Sequence, residues 1–237
     1  MLGFKDVAVD ERMDVAENKV WYLRRNRLFA NNAVDSVGDT AHLFRTFVLP
    51  KRALVFDQGD PPRLVYLVKA GLVRLARLTA EAKEVTIALL AAGDMFGEDS
   101  LFGDAPRSTI AVCMEETLLC SVKADDLFEL LTQHPKLALN VAEILSDRLD
   151  SASDTIEDLA TAKVADRLLH LFERLCEEHG MPVPGGTAID VRLTHYDIAS
   201  LIGSTRETVS LEMSLLEKAG RIRIDGRNIV LIHRAGV

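Results

Sequence analysis

The chain has 237 residues, 48% of them hydrophobic, enough for one or two packed domains. No apolar run approaches the roughly 20 residues of a membrane helix. The formal charge of −8 argues against a protein that coats nucleic acid by non-specific attraction.

The first residues, with Asp6, Asp10, Glu11 and Asp14 ahead of Val15, lack the basic and apolar regions of a signal peptide, so a cytoplasmic location is expected. From Asp10 to Arg27 the spacing of Val15, Lys19, Tyr22 and Leu23, without Gly or Pro, predicts a helix. From Phe47 to Val122 the character changes. The runs FVL, LVF, LVYLV, GLVRLARL, EVTIALL, STIAVC and TLLCSV alternate with turn clusters such as Asp57-Gln58-Gly59-Asp60, Ala92-Gly93-Asp94 and Gly103-Asp104. Seven or eight short strands at that spacing predict a β-sandwich or barrel-like roll. Cys113, Cys120 and Cys176 are odd in number and form no CxxC pair, which favours free thiols over a disulfide framework or a thiolate metal site.

After Ala124 the pattern turns helical, and Pro135 to Ala162 contains neither Gly nor an internal Pro, a span of roughly 40 Å as one helix. Ala138, Ala142, Leu145, Leu149, Ala152, Ile156 and Leu159 recur at alternating spacings of four and three, the seam of a two-stranded coiled coil. A homodimer is the expectation. A second helix from Val164 to Glu178 carries Leu168, Leu169, Phe172 and Leu175 on one face, and Met181 to Gly186 reads as a loop. The chain therefore divides into a roll domain with its N-terminal helix over 1–134, a dimerisation helix over 135–162 and a C-terminal domain over 163–237, an α+β fold.

The C-terminal part reads as a helix-turn-helix. Thr194 can cap a helix through Ile202, Gly203 supplies the turn, and Ser204 can cap a second helix that ends at Gly220. In that second helix Val209, Met213 and Leu216 face one side, while Arg206, Glu207, Ser210, Ser214 and Lys218 face the other. Arg forks onto guanine and Glu accepts from cytosine, so this arc suits the DNA major groove. Ser204 with Glu207 also fits a capping box, which would give Glu207 to the helix instead. RIRI and NIVLI around Asp225-Gly226 predict a β-wing. Arg192, Arg206, Arg221, Arg223, Arg227 and Arg234 crowd into the last quarter of an otherwise acidic chain.

LTHYDIASLIGSTRETVSLEMSLLEKAGRIRIDGRNIVL resembles the DNA-binding domain of the cyclic-AMP receptor protein/FNR family of bacterial transcription factors. FDQGD, VYLVKAGLVRL, GDMFGE, PRSTIAVC and the long helix follow in that family's order, so the resemblance covers nearly the whole chain. It implies a cyclic-nucleotide-binding-like β-roll, a long dimerisation helix and a C-terminal winged helix-turn-helix. It also implies a homodimer that acts as an activator on a palindromic site in double-stranded DNA, with RNA polymerase as a partner and no membrane. The expected DNA-binding residues are Thr194, Ser204, Thr205, Arg206, Glu207 and Ser210. Leu211 stands where the cyclic-AMP receptors carry a further Arg, which predicts a base preference of its own.

FGEDSLFGDAPRSTIAV resembles the phosphate-binding cassette of cyclic-nucleotide domains. Backbone N–H groups from Gly97 onward can take an anion, Arg107 can fork onto a phosphate, Ser108 or Thr109 can donate a hydroxyl, and Glu98, with Asp99 beside it, can accept from a ribose. The implied effector is cyclic AMP. Leu149 and Asp150 occupy the positions where those receptors hold the adenine with Thr and Ser, and Ser151, Ser153 and Thr155 lie nearby. Two other readings within the class are a ligand-free regulator and a sensor of 2-oxoglutarate; sensors of that kind have an apolar residue in place of Glu98. In another class the chain is a cyclic-nucleotide-binding regulatory or docking subunit. An enzyme is not expected, since no nucleophile–base pair, P-loop or metal cluster is visible. His42, His134, His170, His179, His195 and His233 show no ligand-like spacing, and no Cys precedes Cys113 to hold an iron–sulfur cluster.

Overall fold

A computed structural model of the chain describes residues 23–24, 26–32, 37–80, 84–226 and 228–233. The helix expected from Asp10 to Arg27 lies largely outside them; Leu23 and Arg24 are helical, and a 3-10 helix, Arg27–Asn32, follows. The chain divides into two compact units, residues 1–149 and 150–237. No helix among the described residues is long and apolar enough to cross a membrane.

The first unit contains all the strands predicted for the roll: β1 (Arg45–Leu49), β2 (Leu54–Phe56), β3 (Leu64–Ala70), β4 (Val73–Leu78), β5 (Glu84–Leu90), β7 (Ile110–Cys113) and β8 (Thr117–Lys123). It adds a two-residue strand, β6 (Met95–Phe96), too short to stand out by pattern. They form two antiparallel four-stranded sheets, ordered β1-β8-β3-β6 and β2-β7-β4-β5. β3 reads as an unbroken LVYLV run from Leu64 to Val68 because both its faces are buried there. Tyr66 and Val68 pack with Phe56, Val73, Phe96 and Leu119 in one cluster. Val65 and Leu67 point to the other side, where Met95, Val122 and helical Leu127, Leu130, Leu137 and Val141 close a second. Cys113 and Cys120 are buried free thiols, and burial pushes the Cys113 thiol up from its ordinary pKa.

Two helices continue this unit, α1 (Ala124–Gln133) and the start of α2 (Pro135–Thr161). Leu137, Asn140, Val141 and Ile144 are the buried face of α2, and Asn140 donates to the carbonyls of Leu28 and Ala30 at 2.9 and 3.0 Å. The predicted seam is a different face. Ala138, Ala142, Leu149, Ala152, Ile156 and Leu159 are all exposed, and Leu145 is half-buried.

The second unit holds the end of α2, then α3 (Val164–His179), α4 (His195–Leu201) and α5 (Arg206–Lys218). The stretch Met181–Gly186 is not a loop. β9 (Gly180–Val183) and β10 (Gly186–Ile189) pair antiparallel, so only Pro184 and Gly185 form the turn. β10 also pairs with β12 (Asn228–Ile232), which pairs with β11 (Ile222–Asp225), and the wing is a four-stranded sheet ordered β11-β12-β10-β9. Two Pro and two Gly within six positions masked the strands: β9 pairs only with β10, and β10 takes its second partner, β12, from more than forty residues away.

Candidate functional site

Thr194 caps α4 through a capping box: its hydroxyl accepts from the Asp197 N–H at 3.2 Å, and the Asp197 carboxylate accepts from the Thr194 N–H at 2.8 Å. The helix stops at Ile202, and Gly203, with φ +60°, turns the chain. The next cap is Thr205, not Ser204. Thr205 Oγ1 accepts from the Thr208 N–H at 3.2 Å, which moves the start of α5 one residue along and takes Glu207 out of the expected capping box.

Val209, Met213 and Leu216 of α5 are buried, as their spacing predicts. On the opposite side Arg206, Glu207, Leu211 and Ser214 are exposed. Among the described residues Arg206 and Glu207 make no side-chain hydrogen bond or ion pair, while their neighbours do. Thr205 Oγ1 lies 2.9 Å from Thr208 Oγ1, and Ser210 Oγ donates to the Arg206 carbonyl at 2.9 Å and lies 2.7 Å from His195 Nδ1. Spacing alone gives His195 no such role. It joins the first turn of α4 to the second turn of α5, a contact visible only once the two helices cross.

In the first unit the cassette begins at β6. Gly97 has φ +79° and opens a 3-10 helix, Glu98–Leu101. Arg107 returns over it with only 3% of its surface exposed. Its backbone is held by the FDQGD turn, with Gly59 N–H donating to Arg107 O at 2.8 Å and Arg107 N–H to Asp60 O at 2.9 Å. Its guanidinium donates to Gly97 O at 3.1 Å, to the Leu64 carbonyl and to the Asp99 carboxylate. Its Cζ lies 4.3 Å from the centroid of the Phe56 ring, a cation–π contact. A Cβ at Gly97 would come within 2.8 Å of Arg107 Nη1, so glycine is what lets the guanidinium lie on the turn.

Gly97, Glu98, Asp99 and Arg107 are thus brought together as their motif predicts. Ser108 is exposed and accepts from Arg77 Nη2 at 3.1 Å, and Thr109 lies half-buried just before β7. Glu98 has a partner the motif does not contain. Arg148 of α2 donates to Glu98 Oε1 at 2.6 Å and to the Met95 carbonyl. Glu98 Oε2 and Arg107 Nε are buried without a hydrogen-bond partner. Arg148 continues the stripe Leu137, Val141, Ile144 on the roll-facing side of α2, so a cation at the end of an apolar stripe was the available signal.

Residues 46–134 match the cyclic nucleotide-binding domain family, and residues 162–236 match the Crp-like helix-turn-helix domain. The chain is 31% identical over 202 residues to a cyclic AMP receptor protein of Thermus thermophilus, covering 85% of this chain and 90% of that one. It is 34% identical over 179 residues to the global nitrogen regulator of Synechocystis, covering 75% and 80%. A solved CRP/FNR-family transcriptional regulator, also of Thermus thermophilus, superposes with a TM-score of 0.66 at 29% identity over 80% of this chain and 94% of that one.

The chain belongs to the CRP/FNR family. It is a DNA-binding transcription regulator, and its relatives are named as regulators rather than enzymes. The α+β architecture of roll, long helix and winged helix-turn-helix is the one this CRP/FNR regulator was expected to have. In this CRP/FNR chain Leu211, where the resemblance leads one to expect a further Arg, is 60% exposed on α5.

Proposed function

We propose that the protein is a cytoplasmic homodimer that binds a palindromic DNA site through Arg206 and Glu207 and responds to cyclic AMP in its roll. The observation that carries the DNA reading is the contrast at the start of α5. Thr205, Thr208 and Ser210 are all engaged within the protein, whereas Arg206 and Glu207 are exposed and unpaired. Those two are free to meet base edges at the end of the helix that enters the groove. Thr194, Ser204 and Thr205 belong to the same end of the motif and suit phosphate contacts, which set register rather than sequence.

The exposed seam of α2 supports a dimer, because a stripe of Leu149, Ile156 and Leu159 left in water is unfavourable by about 25 cal/mol per Å². Pairing two copies along it would hold two recognition helices about one DNA turn, roughly 34 Å, apart. RNA polymerase follows as a partner from the activator role.

The cassette fits a cyclic nucleotide in its chemistry. Glu98 Oε2, buried and unpaired, suits the hydroxyl of a ribose, and buried Arg107 Nε suits an oxygen of a cyclic phosphate. Bound there, the nucleotide would supply a charge and a hydroxyl that the protein's own groups recognise. Selection of sites from random DNA by the purified protein tests the DNA reading. G·C pairs at the outer positions and a relaxed preference at the base linked to Leu211 are expected. The resemblance to cyclic-AMP receptor proteins implies a TGTGA-type half-site for an Arg-Glu pair with a further Arg, so recovery of an unmodified TGTGA palindrome with full discrimination overturns the Leu211 part. No DNA binding under any ligand or salt overturns the whole and favours a docking subunit.

A further inference from the structure

We propose that His195 is a specificity-determining residue of the DNA-reading motif: its ring N–H holds the Ser210 hydroxyl with the proton turned into the protein, so that Ser210 cannot donate to a base. The inference rests on the reading of α5 as the helix that meets base edges, and adds what confines its reading head to Arg206 and Glu207.

Proton counting fixes the direction of each hydrogen bond. A serine hydroxyl has one proton and two lone pairs. Ser210 Oγ lies 2.9 Å from the Arg206 carbonyl, which can only accept, so the proton is on that line. Toward His195 Nδ1, 2.7 Å away, the same oxygen must then accept, and Nδ1 must carry a hydrogen. The imidazole has that hydrogen in one of its neutral tautomers and in its cation alike. The donor of Ser210 is thereby spent, and what remains is a lone pair on a half-buried side chain.

The two bonds differ in origin. The bond to the Arg206 carbonyl lies within α5, between residues four apart, and is the back-bond open to any serine in a helix. Held by that bond alone, the hydroxyl can leave the carbonyl by rotating about χ1, and a free serine hydroxyl meets donors and acceptors on base edges alike. The second bond comes from another helix. His195 follows the Thr194 cap at the start of α4, where the capping box with Asp197 and the buried Ile198 and Ala199 fix the first turn. A donor on so firm a support keeps Ser210 in one rotamer. Ser210 stands one turn beyond Arg206, on the arc that also carries Glu207, so an unrestrained hydroxyl would add a third contact of little selectivity.

The test is selection of sites from random DNA by the full chain and its variants. His195→Leu removes the ring N–H and is expected to gain a preference of about two- to tenfold at one base pair, the worth of one neutral hydrogen bond. No gain overturns the proposal. His195→Asn, whose amide N–H falls where Nδ1 lies, should restore the original preference. In a Ser210→Ala background His195→Leu should change nothing further, since the hydroxyl it would release is gone. An effect of His195→Leu that persists there means that His195 acts on the DNA or on the fold directly, and overturns the proposal. A base preference lost in Ser210→Ala alone shows that Ser210 already donates to a base, and overturns it too.

Nitrogen-15 NMR of the neutral His195 ring gives a readout that needs no DNA. Hydrogen on Nδ1 that shifts toward Nε2 in Ser210→Ala supports the lock; hydrogen on Nε2 in the unaltered chain, or no response to Ser210→Ala, overturns it. If neither the chain nor its variants select any site, the reading of α5 fails, and the NMR result still decides whether His195 governs Ser210.

Discussion

Gly203, in the turn of the DNA-reading motif, is packed against Leu159 near the end of α2: a Cβ at Gly203 would lie 2.8 Å from Leu159 Cδ2. Leu159 is also the last residue of the seam assigned to the dimer. One side chain is thus shared between the surface proposed to join two copies and the turn that aims α5. Gly203→Ala meets both this contact and a φ of +60°, and a loss of about 1–3 kcal/mol in urea unfolding is expected. Adding Leu159→Ala should recover the steric share and leave the backbone share. Strict additivity of the two changes would show that the contact carries no energy.

Removing the cap separates Thr205 from Ser204. Thr205→Ala should cost about 1 kcal/mol, because the Thr208 N–H loses its acceptor, whereas Ser204→Ala should change little. Thermal melts of both variants distinguish them; the reverse order would return Glu207 to a capping role.

Leu211→Arg places a guanidinium where the resemblance to the cyclic-AMP receptors leads one to expect it. A gain of about 1–3 kcal/mol in discrimination at a single base pair is expected in competition binding, with affinity for unrelated DNA rising far less. Equal gains on all sequences would mean that the new Arg meets phosphate instead.

Charge on the seam should undo the proposed dimer. Leu149→Glu combined with Ile156→Glu sets carboxylates on residues that are each 67% exposed in the single chain, so the fold should survive by circular dichroism while sedimentation shifts to the monomer mass. A dimer that persists would assign the apolar stripe another occupant.

The hydrogen bond between His170 Nδ1 and Asp158 Oδ1, 2.7 Å long, raises the pKa of His170 above its usual value, assisted by the charges of Asp158, Glu173 and Asp166 and opposed by burial. A histidine raised in the folded state contributes stability that is complete below its unfolded pKa of about 6.5 and is lost as pH rises through the higher folded value. The stability gap between the unaltered chain and Asp158→Asn should therefore be widest below about pH 6.5 and shrink as pH rises through the raised folded value. Both side chains are partly exposed, at 52% and 26%, so salt should narrow the gap. A gap that does not vary with pH would remove the ion pair as its cause.

Much of this protein was legible before any tertiary contact was considered, and for local reasons. Strand and helix periods, the Gly203 turn and the apolar set Val209, Met213 and Leu216 depend on neighbours within a few residues. The seam of α2 was readable for the same reason: four-three spacing is a property of one helix, and of its residues Ala138, Ala142, Leu149, Ala152, Ile156 and Leu159 are exposed in the single chain while Leu145 is half-buried. Cassette residues Gly97 to Asp99 and Arg107 lie within one short stretch, close enough for a motif to join them.

What tertiary structure decided were the pairings across distance. Strand β10 is held between β12 and β9, and β9 adds to its free side, against the local advice of Pro and Gly. The cap moved from Ser204 to Thr205 because the turn at Gly203 sets where helical geometry resumes, a choice that two adjacent hydroxyl residues leave open in sequence. Ser210 met His195, and Glu98 met Arg148, fifty positions away, because packed helices and strands bring polar groups within reach that no spacing rule relates. Sequence determined which residues could recognise a ligand or a base; the fold decided which of them are already engaged, since only in three dimensions does a buried charge find the partner that satisfies it.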